Sequence, residues 1–137
     1  MKCLIVEDDF SARKLLQAYL QDRADCFVAI NGQEAVDAVH QALEQGNPYD
    51  LICLDIMMPE MDGQETLQAI RQIEHNYRKH GHKGAKVIMT TALSEPKHVI
   101  GSFKMGCESY IVKPIRKDDL LREMAKLGLI KLEASKL

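Results

Sequence analysis

Five short apolar runs alternate with segments whose apolar residues recur every three or four positions, and that alternation leaves few folds open. The runs are CLIV (3–6), CFVAI (26–30), LICLDI (51–56), KVIMTTA (86–92) and SYIVK (109–113). Each is too short for a helix and nearly continuous in its apolar character, so each reads as a strand covered on both faces. Between them, Ala12, Leu15, Leu16, Tyr19 and Leu20 fall on one helical face. So do Ala35, Val36, Val39 and Leu43, and then Leu67, Ile70, Ile73 and Tyr77. Glu95-Pro96 opens a fourth helix with Val99, Ile100 and Phe103, and Leu120, Leu121, Met124 and Leu127 mark the last. Asn31-Gly32 and Gly46-Asn47-Pro48 supply turns. Strands alternating with helices predict an α/β domain, a parallel sheet with helices on both faces.

The 137 residues suit one domain with a real core, and no repeat or internal boundary interrupts them. Net charge is -2, which favours neither nucleic acid nor an anionic membrane as partner. No apolar run approaches the roughly 20 residues of a membrane span. The opening MKCLIVEDDF reads as a first strand and not as a signal peptide. The four cysteines, Cys3, Cys26, Cys53 and Cys107, form no CxxC and read as reduced, structural residues of a cytoplasmic protein. Residues 74–85, EHNYRKHGHKGA, read as a solvated helix end and a long polar loop; its histidines have no partner at metal-ligand spacing. The tail 126–137 is apolar at Leu127, Leu129, Ile130 and Leu132 and is expected either to extend the last helix past Gly128 or to pack on a partner.

In a parallel α/β sheet, ligands bind beyond the carboxyl ends of the strands. There strand one ends in Glu7-Asp8-Asp9, strand three at Asp55, strand four at Thr90-Thr91 and strand five at Lys113. Taken singly, the acids could form a capping turn, the threonines are ordinary strand ends, and Lys113 could be a surface lysine. Together they bring carboxylates, a hydroxyl and an ammonium to one rim. Converging carboxylates repel, and a hard divalent cation such as Mg²⁺ relieves that while keeping sites for phosphoryl oxygens. Lys113 and Thr91 would add a positive charge and a hydrogen bond, which is what phosphoryl transfer requires. Asp55, alone on its strand, can serve as a carboxylate nucleophile. A phosphohydrolase of similar chemistry commonly carries a second acid two residues after the nucleophile, where this chain has Met57. A flavin-binding protein would want a Ser/Thr/Gly-rich loop after strand one, where this chain has acids.

The stretches LIVEDD (4–9), YDLICLDIMMPEMDG (49–63), IMTTA (88–92) and YIVKP (110–114) resemble the receiver domain of bacterial two-component response regulators, especially the stand-alone chemotaxis type. The resemblance implies a flavodoxin-like (βα)5 doubly wound fold with strand order 2-1-3-4-5. It implies a receiver domain over residues 1–127 with a tail at 128–137. It makes Asp55 the phosphoacceptor, with Mg²⁺ held by Asp8 directly, Glu7 through water, Asp55 and the Met57 carbonyl. Arg13 at the family's basic position favours Glu7 over Asp9 as the first pocket acid. Thr91 and Tyr110 become the switch pair. Lys113 becomes the partner of the phosphoryl group, with a cis bond to Pro114. The implied donor is a sensor histidine kinase or phosphotransfer protein, docking near Phe10, Lys14, Leu15 and Pro114. A target protein would bind the face formed by the fourth helix, strand five and the last helix. The protein is expected to be a signalling domain and not an enzyme, a monomer or phosphorylation-dependent dimer, without direct nucleic-acid or membrane contact. Apolar Met57 and Leu93, two positions after the acceptor and the switch threonine, imply slow loss of the phosphoryl group. The alternatives are an N-terminal receiver fragment of a larger regulator and a receiver-like scaffold that is never phosphorylated.

Overall fold

The computed structural model describes residues 1–78, 83–92, 101, 103 and 106–132. They form strands β1 (Lys2–Val6), β2 (Asp25–Ala29), β3 (Leu51–Asp55), β4 (Lys86–Thr91) and β5 (Ser109–Val112). Four helices accompany them among the described residues: α1 (Phe10–Leu20), α2 (Gly32–Glu44), α3 (Gly63–Asn76) and α4 (Lys117–Lys126). The helix read from Glu95-Pro96, with Val99 and Ile100, lies outside the described residues, as do Leu93, His80 and His82.

All neighbouring strands are parallel, in the order β2-β1-β3-β4-β5. This is the doubly wound, flavodoxin-like arrangement that the resemblance implied, and its parallel sheet is the one the strand pattern predicted. Because side chains alternate across a strand, each central strand feeds two cores. Leu4, Val6, Ile52, Leu54 and Met89 pack with Ala35, Val39, Leu67 and Ile70 of α2 and α3. Cys3, Ile5, Cys53 and Ile88 pack with Leu16 and Leu20 of α1 and Leu120 and Met124 of α4. Burial on both faces is why β1 and β3 read as unbroken apolar runs.

Helices α1, α2 and α3 start on side-chain caps. The Asp9 carboxylate accepts from the Ala12 N–H at 2.8 Å, Asn31 accepts from Glu34, and Asp62 accepts from Glu65. Past Asp55 the chain breaks at Met58-Pro59 and turns before α3. After Asp55 the chain must turn back at once, and Gly63 N–H bonds the Ile56 carbonyl at 2.8 Å. A Cβ on Gly63 would collide with the Asp55 carbonyl, so only glycine lets α3 start this close to the strand end.

Two expectations for the far end of the sheet need correction. Glu74 is buried, not solvated: its carboxylate takes the Ala85 N–H at 2.7 Å and the Arg71 guanidinium at 2.6 Å. Arg71 also bonds the Gly106 and Ala85 carbonyls and the Glu108 carboxylate, so one side chain ties the end of α3 to the starts of β4 and β5. The tail does not prolong the last helix. Gly128 has φ +78, and the Leu129 N–H closes on the Met124 carbonyl, a glycine-capped helix end. Leu127, Leu129, Ile130 and Leu132 then pack against this chain's own α1/α4-side core.

Candidate functional site

At the carboxyl edge of the sheet, β1 and β3 deliver Glu7 and Asp55 side by side. Val6 and Leu54 are in register, so the residues that follow them leave the sheet together. Both acids are buried, at 0% and 3% exposure, while Asp8 between them and the solvent is exposed. Glu7, Asp8 and Asp55 each present an oxygen within 4.8 Å of the other two. Asp9 is not among them, because its carboxylate is occupied in capping α1. Arg13 holds the turn from below, its Nη1 donating to the Glu7 carbonyl at 3.0 Å and the Asp8 carbonyl at 3.5 Å.

Lys113 comes from the end of β5, where the Lys113–Pro114 bond is cis. Its Nζ donates to Glu7 Oε2 at 2.8 Å and lies 3.5 Å from Asp55 Oδ2. The other Glu7 oxygen accepts from the Asp9 N–H at 3.2 Å, and Asp55 Oδ1 accepts from the Met57 N–H at 3.2 Å. The Met57 side chain itself is 60% exposed at the rim. One ammonium therefore faces two buried carboxylates, with Asp8 beside them. Burial first, and then the Glu7 charge, push the Asp55 carboxyl up to about 7, against the pull of Lys113. Burial pushes Lys113 down, but the hydrogen bond to Glu7 and the Asp55 charge outweigh it, and its pKa is raised.

The donor set suits a hard divalent cation. All three donors are carboxylate oxygens, they converge, and they hold more negative charge than Lys113 neutralises. A thiolate- or imidazole-seeking metal would find no soft ligand in this group.

Thr91 and Thr90 occupy the end of β4, both fully buried. The Thr91 side chain is hydrogen-bonded to the Tyr110 phenol, and its carbonyl accepts from the Lys113 N–H at 2.6 Å. Tyr110 is half-buried against the core on the α2/α3 side. The sequence singled out Thr91 but gave no role to its neighbour. Thr90 pairs in register with Asp55, and its Oγ1 is buried with no hydrogen-bond partner among the described residues. The structure thus gathers Glu7, Asp8, Asp55 and Lys113 around one point, ties the Met57 N–H to Asp55, and links Thr91 to Lys113 through the backbone and to Tyr110 through its side chain.

The model of the response regulator receiver domain family matches residues 3–125. The chain is 37% identical over 136 residues to hybrid signal transduction histidine kinase B of Dictyostelium discoideum, covering 93% of this chain and 7% of that protein. It is 34% identical over 125 residues to transcriptional regulatory protein SrrA of Staphylococcus aureus (strain NCTC 8325 / PS 47), covering 90% of this chain and 46% of that one. It therefore spans less than half the length of these curated relatives. A solved chain in the CheX-CheY-BeF3-Mg²⁺ complex from Borrelia burgdorferi matches with a TM-score of 0.78 at 29% identity, covering 96% of this chain and 90% of that chain.

Proposed function

The chain belongs to the response regulator receiver domain family of two-component signalling, and from that premise we propose that it is a phosphoacceptor switch with Asp55 as the acceptor. The observation that carries this reading is the buried Asp55 carboxylate, 3.5 Å from the Lys113 ammonium and within 4.8 Å of oxygens on Glu7 and Asp8. In the transfer, an Asp55 oxygen forms a bond to phosphorus as the bond to a phosphohistidine nitrogen breaks. Asp55 must be ionised to attack, and Lys113 is placed to favour that form. Lys113 shifts its weight from Glu7 toward the incoming phosphoryl oxygens. Glu7, Asp8, Asp55 and the Met57 carbonyl would hold Mg²⁺, which when bound supplies charge neutralisation. The Thr91 hydroxyl leaves Tyr110 for the new phosphoryl group, and the freed phenol carries the change to the β5 side of the molecule.

The donor is a sensor histidine kinase or phosphotransfer protein. Its docking surface lies beside the pocket, where Phe10 and Leu15 are exposed and Ala12, Leu15, Pro114 and Ile115 line an apolar hollow next to Lys113. The output is protein contact at the face that includes β5 and α4, in the cytoplasm, from a receiver module spanning residues 1–127. The CheX-CheY complex of the related Borrelia protein supports contact with partner proteins.

The test is incubation with acetyl phosphate and Mg²⁺ followed by intact-mass measurement. One phosphoryl group is expected on the wild type and none on Asp55→Asn or in excess EDTA. Labelling that persists in Asp55→Asn sinks the assignment.

A further inference from the structure

We propose that Cys26 and Cys3 form an oxidant-sensitive thiol pair that peroxide converts to a disulfide stapling the edge strand β2 to β1. Cys3 and Cys26 are direct register partners on neighbouring parallel strands, with their side chains on the same face. Neighbouring strands run about 4.8 Å apart, inside the Cα separation of roughly 4.4–6.8 Å that disulfides accept. The Cys3 and Cys26 thiols act on each other across the two strands, and Cys53 acts on Cys3 from the other side. β2 is held by a neighbour on one side only, so it can yield by the small amount that bond formation needs.

The two sulfurs differ in access, which gives them different roles. Cys26 is half-buried and lines an open hollow of about 450 Å³ between α1 and β2, together with Lys14, Gln17, Gln21 and Asp25. Its thiol has only a long 3.7 Å contact to the Ala24 carbonyl besides Cys3. Cys3 is fully buried behind it. The neighbouring Cys3 thiol draws the Cys26 thiol down to about 7, against partial burial and the Asp25 carboxylate. Cys107 makes the contrast, since burial and Glu108 push its thiol up to about 11. Reactivity follows thiolate content and access together, and Cys26 has both.

The Cys26 thiolate attacks one peroxide oxygen. A sulfur–oxygen bond forms, the oxygen–oxygen bond breaks, and hydroxide leaves; sulfur is oxidised and peroxide reduced. The Cys3 thiol then attacks the sulfenic sulfur. The sulfur–sulfur bond forms, the sulfur–oxygen bond breaks, and water departs with the Cys3 proton. Cys53 is the less suitable resolving partner. It opposes Ile5, sits diagonal to Cys3, and lies one strand further from the edge.

Fully reduced protein is exposed to one equivalent of hydrogen peroxide and mapped by non-reducing proteolysis. A Cys3–Cys26 cross-linked peptide that dithiothreitol removes is expected. In Cys3→Ala, dimedone is expected to capture a sulfenic acid at Cys26. In untreated wild type, iodoacetamide is expected to modify Cys26 at least about tenfold faster than Cys107. The wild-type map and alkylation rates decide the matter even if Cys3→Ala folds poorly. The proposal is overturned if mapping finds no Cys3–Cys26 peptide, or if Cys107 or Cys53 reacts as fast as Cys26.

Discussion

Lys113 holds Glu7 at 2.8 Å and Asp55 at 3.5 Å, so its ammonium is committed first to the fully buried Glu7 carboxylate and only second to Asp55. Removing it leaves Glu7 buried without a cation. Lys113→Gln is expected to lower unfolding free energy by about 2 kcal/mol. Breaking a buried pair costs more, and partial exposure of the lysine trims it. The same variant is expected to lose at least about tenfold in the rate of acetyl phosphate labelling. Urea melts and mass-resolved labelling check the two effects separately.

Asp55 carries its own pH signature. Its carboxyl is raised from 3.8 to about 7, by burial first and then by Glu7. Between those values the unfolded chain has released a proton that folded Asp55 still holds, so stability falls as pH rises through that window. In EDTA at pH 7.5, Asp55→Asn is expected to be more stable than wild type by an amount on the order of 1–3 kcal/mol. Near pH 4 the two are expected to coincide. Added Mg²⁺ is expected to stabilise wild type and leave Asp55→Asn unchanged. Denaturant titrations at both pH values read all three differences.

Thr90 should tolerate, and even favour, losing its hydroxyl. The group is buried without a partner among the described residues, so an isosteric methyl removes an uncompensated desolvation. Thr90→Val is expected to gain about 1 kcal/mol in a urea melt, with labelling retained. A loss of stability would mean that the Thr90 hydroxyl makes a bond this arrangement does not contain.

Met57 sits at the rim of the pocket with an exposed side chain and cannot orient an attacking water. Met57→Asn is expected to shorten the phosphoryl lifetime at least about tenfold. The decay of labelled protein after removal of acetyl phosphate gives the rate directly. Equal lifetimes would remove residue 57 from the control of hydrolysis.

Much of this arrangement is legible in the sequence. The strands are plain in the sequence because their two-faced burial erases polar residues, and the same burial makes each terminal Glu7, Asp55 or Lys113 conspicuous as a candidate. What stayed hidden was pairing. Nothing in the string says that Lys113 prefers Glu7, since that depends on where two strand ends stop relative to each other. Glu74 looked solvated because it opens a polar run; only the folded chain brings Arg71 and the Ala85 N–H to its carboxylate. The tail looked available to a partner because Gly128 is an ambiguous signal, a weak interior residue or a helix stop. The Cys3–Cys26 pairing was invisible for the same reason as Lys113–Glu7, since register between strands is a tertiary property.

Met1 lies at the opposite rim from the acids, where its carbonyl accepts the Asp25 N–H as β1 begins. The length of β1, roughly 16 Å, separates that rim from the pocket. A dye or immobilisation handle attached at Met1 would therefore hang clear of the acidic pocket. Surface-tethered measurements of labelling and partner capture can use that attachment point without obstructing the pocket.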